Sequence, residues 1–117
     1  MNEPVNPKPE YVLNWVEVKP ELKRFILLHI LKIEAKYQYK TMNLTYNCLI
    51  DELSGSMGGI VKDQVKIYVD NLIYQDRLHY SENEIKITSK VYEDLKIADK
   101  DISSNIMDNG VKGAFLG

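Results

Sequence analysis

The sequence holds one cysteine, two histidines, one tryptophan and no long apolar run, and each shortage closes a line of chemistry. With Cys48 alone, no intrachain disulfide and no cysteine-ligated metal cluster can form. The thiol is expected as a small buried hydrophobe in a reducing compartment. His29 and His79 have no further ligand cluster beside them, so each is expected to be satisfied by a local hydrogen bond, and no metal or other cofactor is expected. No stretch reaches the roughly 20 apolar residues that a membrane span needs. The opening MNEPVNPKPE is proline-rich and has no apolar signal core, so a cytoplasmic chain without a membrane partner is expected. Positive charge is also lacking: 15 Lys and Arg stand against 17 Asp and Glu, a net charge of −2. Proteins that live on phosphate contacts usually carry the opposite excess, which leaves room for a local basic patch at most. No nucleophile–base spacing appears and no internal repeat is evident, so the chain is not expected to be an enzyme.

What remains is one soluble domain: 117 residues, 44% hydrophobic and 27% charged. Residues 1–19 form an N-terminal arm, irregular where Pro4, Pro7 and Pro9 fall. Tyr11 to Val18 has a mixed pattern, compatible with a strand or a short helix. Trp15 is expected to pack on the domain or on a partner chain, because so large a ring repays burial. Pro20 and Glu21 suit the first turn of a helix, ELKRFILLHILKIEAKY. Leu22, Phe25, Ile26, Ile30, Ile33 and Tyr37 mark one face, yet Leu27, Leu28 and Leu31 carry apolar surface round most of it. Such a helix must be covered on several sides, by terminal segments or by a second subunit.

Tyr39 to Asn43 is compatible with a short edge strand. Thr45 is placed to cap a second helix, YNCLIDELSG, which buries Leu49, Ile50 and Leu53. Gly55, Gly58 and Gly59 make a helix-to-helix turn; the run lacks the Lys-Ser/Thr of a phosphate loop. A third helix follows, with Val61, Val65, Val69 and Leu72 as its apolar stripe. Leu78 to Tyr80 and Ile85 to Ile87, separated by Ser81 to Glu84, predict a hairpin. Thr88 or Ser89 then caps a last helix over 89–107. Its narrow stripe of Val91, Leu95, Ala98, Ile102 and Ile106 suits pairing with another helix. The tail, 108–117 (DNGVKGAFLG), has three glycines and is expected to be loose.

VKDQVKIYVDNLIYQDRLHY resembles a recognition helix running into a first wing strand, and IKITSKVYEDL resembles a second wing strand running into a C-terminal helix. Over roughly residues 20–95 the chain is thus similar to the winged helix-turn-helix families of bacterial and archaeal regulators. The fold implied is α+β and mostly helical: a winged helix-turn-helix domain over 20–88, a two- or three-stranded wing sheet, and terminal dimerisation segments. Asp76 and Arg77 stand where the family usually has a glycine. The resemblance implies a homodimer on double-stranded DNA, most simply a transcriptional regulator. Lys62, Asp63, Gln64, Lys66, Ile67 and Tyr68 would then face base edges. Thr45, Tyr46 and Asn47 would meet phosphate at the start of the second helix. Arg77, His79 and Lys86 would contact the backbone from the wing. Trp15, Leu27, Leu28, Leu31, Val91, Leu95, Ala98, Ile102 and Ile106 would form the dimer interface.

Charge opposes this reading. Residues 43–87 hold four basic residues (Lys62, Lys66, Arg77, Lys86) against seven acidic ones, a net of −3, and the SENE tip is acidic. Two further functions fit. One is an adaptor in plasmid or phage segregation or replication, clustered on repeated sites and bound to a motor or polymerase. The other is a winged-helix module that binds protein. The eight tyrosines could also stack single-stranded bases, although tyrosines at element boundaries commonly serve packing.

Overall fold

The computed structural model describes residues 8–116, with side chains through Ser104. A single 3-10 turn, Trp15–Glu17, precedes α1 (Pro20–Tyr39), α2 (Tyr46–Ser56), α3 (Lys62–Tyr74), β1 (Leu78–Ser81), β2 (Glu84–Ile87) and α4 (Ser89–Leu116). The fold is α+β and mostly helical, with one two-stranded antiparallel sheet among the described residues. No helix among them is long and apolar enough to cross a membrane.

Each of the first three helices ends in the same way. The chain turns left-handed at Thr41 (φ 51°), Gly58 (φ 75°) and Asp76 (φ 63°). The amide two residues past the cap then returns to a carbonyl five residues back: Met42 to Tyr37, Gly59 to Ser54 and Arg77 to Leu72. These are Schellman stops, which occupy carbonyls the helix would otherwise leave orphaned. Glycine takes this conformation without cost and aspartate tolerates it, whereas β-branched Thr41 is strained there. Asp76 therefore fills the position where a glycine was expected and makes the same turn.

The stop at Thr41 also corrects the expected edge strand over 39–43. Tyr39 belongs to α1, and the residues after it are consumed by the reversal. Only Leu44 touches the sheet, its carbonyl accepting from Ile85 N–H at 2.7 Å. At the next element Thr45 caps α2 as expected, its hydroxyl accepting from Cys48 N–H at 3.2 Å.

The core joins α1 (Ile26, Leu27, Ile30, Ile33), α2 (Leu49, Leu53), α3 (Val65, Val69, Leu72) and the inward face of the hairpin. The hairpin register pairs Leu78 with Ile87 and Tyr80 with Ile85. Those four residues therefore share one face, and His79 and Lys86 pair on the other. Glu82 (φ 52°) and Asn83 (φ 61°) form the two-residue link. Both are left-handed, the turn whose twist matches that of the strands.

α4 packs along α1 and answers the question of what covers it. Val91 and Ala98 are fully buried, as are Trp15 and Leu27. These four were expected at a subunit interface, and the chain spends them internally instead. Once α4 lies on α1, the multi-sided apolar surface of α1 no longer calls for a second subunit. Leu28, Leu31, Leu95 and Ile102 remain half-buried. Ile106 lies beyond the residues whose side chains are described.

The helix also runs on through the segment expected to be a loose tail. It contains no proline, and two interior glycines cost only about 1 kcal/mol each against a ladder that gains one bond per residue.

One polar node ties the ends of the chain together. The Asp94 carboxylate on α4 accepts from Trp15 Nε1 at 2.9 Å and from Arg77 Nε at 2.8 Å and Nη2 at 3.2 Å. The two-pronged contact with Asp94 raises the guanidinium pKa further. A second bond from Arg77 Nη1 to the Gln75 carbonyl fixes the junction between α3 and β1.

Candidate functional site

The outward face of α3 borders a cleft of about 1080 Å³. Asp63, Lys66, Ile67 and Asp70 line it from α3, Tyr46 from the start of α2, and Tyr80 from β1. Four of the residues expected to contact nucleic acid (Tyr46, Asp63, Lys66 and Ile67) are thus brought to one concavity.

Local structure explains the convergence. α3 turns its apolar stripe of Val65, Val69 and Leu72 into the core, which leaves Asp63, Lys66, Ile67 and Asp70 on the far side. The Tyr46 ring stacks on Tyr80 (centroids 5.5 Å apart, planes 5° from parallel), and its hydroxyl donates to Asp70 Oδ1. Three elements are therefore pinned at one corner. Burial, then the bond to Asp70, raises the Tyr46 hydroxyl well above its usual 10.0.

The other expected residues divide. Gln64 is exposed on the first turns of α3, and Asn47 on the first turn of α2. Lys62 is exposed and reaches Asp51 at 2.8 Å. With both side chains more than half open to water, that pair is weak and its ammonium can exchange partners. Thr45 serves as the α2 cap, and Tyr68 is half-buried against the core.

Arg77 needs a correction. Its guanidinium is held by Asp94 and only 21% exposed, so it supports the fold and does not reach outward. His79 and Lys86 are exposed, but they occupy the face of the hairpin opposite Tyr80 and so do not look into the cleft.

An N-terminal arm was expected, but not its docking on α3. Residues 8–13 lie along α3, held by two amides one helical turn apart. Asn71 Oδ1 accepts from Leu13 N–H at 2.8 Å, and Asn71 Nδ2 donates to the Tyr11 carbonyl at 2.8 Å. Gln75 Nε2 donates to the Leu13 carbonyl at 2.9 Å. Lys8, Pro9, Glu10 and Tyr11 then continue as part of the cleft lining. The available signal was Asn71 and Gln75, an i, i+4 polar pair placed off the apolar stripe of a helix.

No family model, no curated protein and no solved structure matches this chain.

Chemically the cleft offers three tyrosine rings, two apolar side chains (Ile67 and Ile73) and charges of both signs. Lys8 and Lys66 can meet phosphate or carboxylate; Glu10, Asp63 and Asp70 can accept from amines. Among the described residues, no group of three or more His, Cys, Asp or Glu is placed to hold a metal ion.

Proposed function

We propose that the chain is a site-specific double-stranded-DNA-binding protein of winged helix-turn-helix build, and that α3 is the helix that enters the major groove. One observation carries the reading: the α2 start, the outward face of α3 and the hairpin meet at one concavity, with Lys66 at its lining and Gln64 exposed on the same turns of α3. A groove about 12 Å wide admits one helix, and the first turns of that helix are the ones that touch base edges. Gln64 has the two-point geometry that recognises adenine, and Lys66 suits guanine or phosphate. A transcriptional regulator is the simplest use of such a protein, and binding as a homodimer would double the site read.

Selection of bound fragments from random duplex DNA tests this directly. An enriched motif is expected, and Gln64→Ala should cost about 1–3 kcal/mol at one position of it. Failure to enrich any motif at low salt would overturn the reading. A second reading, a protein-binding module, is favoured by the carboxylates of Glu10, Asp63 and Asp70 at the cleft. It would take a partner bearing lysine or arginine.

A further inference from the structure

Asn71 lies on the side of α3 away from the core, where a polar residue should be wet, yet it is 0% exposed. The arm meets it there. Both polar atoms of the amide are used: its oxygen takes Leu13 N–H, and its nitrogen serves the Tyr11 carbonyl and, at 2.8 Å, the Ile67 carbonyl. The two arm contacts flank Val12, which is half open to water, so the clamp grips the backbone on either side of a residue whose side chain it does not enclose. From Leu13 the arm runs back toward the first turns of α3, because Lys8 to Tyr11 border the same cleft as Asp63 and Lys66. The arm therefore lies along the very surface that the proposed function gives to DNA.

The two occupants do not fit together. An α-helix with its side chains spans about 10–12 Å, which already fills a major groove about 12 Å wide. A second stretch of chain laid beside the helix exceeds that width.

We infer that the N-terminal arm is an autoinhibitory strap: docked on Asn71 and Gln75 it blocks full seating of α3 in the groove, and DNA binds the form in which it is released. The inference rests on the DNA reading above. Three arm hydrogen bonds leave the open form a minor population, so full release should tighten binding by on the order of a hundredfold, and loss of one or two of the bonds by about tenfold.

The test uses the full chain and two substitutions that break the contact from opposite sides. Asn71→Ala removes the clamp, and Leu13→Pro removes the arm N–H that it grips. Circular dichroism checks the fold, and hydrogen exchange of the Leu13 amide in wild type and Asn71→Ala reports docking. Anisotropy titrations then use a duplex bearing the selected site. Expected are fast exchange of that amide in Asn71→Ala and about tenfold tighter binding than wild type in both variants. If wild type binds and the freed-arm variants bind equally or more weakly, the strap is overturned while the DNA reading stands. If arm exchange quickens but neither wild type nor either variant binds duplex, the DNA reading falls and takes the strap with it.

Discussion

At the scale of single residues, stability concentrates where one side chain serves several segments. Asp94 joins the 3-10 turn, the end of α3 and α4 through Trp15 and Arg77. Asp94→Ala would leave a mostly buried guanidinium with only its bond to the Gln75 carbonyl, and a fully buried indole N–H without a partner. A loss of about 2–4 kcal/mol is expected in urea unfolding. Trp15 is the only tryptophan, so its emission should shift red in the same variant while the wild type reports a dry ring. Thr41 is the opposite case, a residue whose backbone pays for a turn that its side chain does not need. Thr41→Gly should raise stability by about 1 kcal/mol, or several degrees in Tm, and Asp76→Gly should gain less because aspartate is tolerated there. The Tyr46 hydroxyl titrates above its unfolded value of 10.0, first through burial and then through Asp70. A raised pKa contributes stability that is fully present below pH 10 and declines as the pH climbs past it. Tyr46→Phe keeps the ring stack and loses one hydrogen bond, so it should be about 1 kcal/mol less stable at neutral pH. The gap to wild type should then close in unfolding curves taken above pH 10.

At the scale of elements, the strongest periodic signals were legible and the pairings between distant segments were not. The α3 stripe of Val65, Val69 and Leu72, the Thr45 cap and the paired runs Leu78–Tyr80 and Ile85–Ile87 announce themselves locally, because helix and strand periods are short-range properties. The edge strand over 39–43 failed because β-prone residues there are overridden by a helix stop at a threonine, a residue that seldom adopts a left-handed conformation. The division of labour on α4 was also hidden. Its narrow stripe was legible, but nothing in Val91 or Ala98 says whether the partner helix belongs to the same chain. The structure gives that place to α1, and Ala98 on α4 has no exposed surface. Ala98→Leu should overpack the α1–α4 contact and cost about 1–3 kcal/mol in thermal or urea unfolding. A variant as stable as wild type would mean that the two helices do not pack this closely. The docking of the arm escaped reading for a related reason: it uses the arm's own backbone groups, and only Asn71 and Gln75 carry a trace of it.

At the scale of the whole molecule, a net charge of −2 gives no general pull toward polyanions. Any affinity for duplex DNA must come from a few placed contacts, with Lys62 and Lys66 on one side and Gln64 for sequence. The cleft residues Tyr46, Asp63, Lys66 and Ile67 were all named from the sequence, since they follow from the position of α3. Arg77, by contrast, could not be recognised as structural without knowing that Asp94, 17 residues on, folds back to meet it. The most direct test of the central claim is the salt dependence of binding to a selected duplex, compared for wild type, Lys66→Ala and Gln64→Ala. The account predicts that Lys66→Ala lowers the slope of log affinity against log salt by about 1, whereas Gln64→Ala leaves the slope unchanged and relaxes discrimination at one base pair. Unchanged affinity and slope in both variants would contradict it.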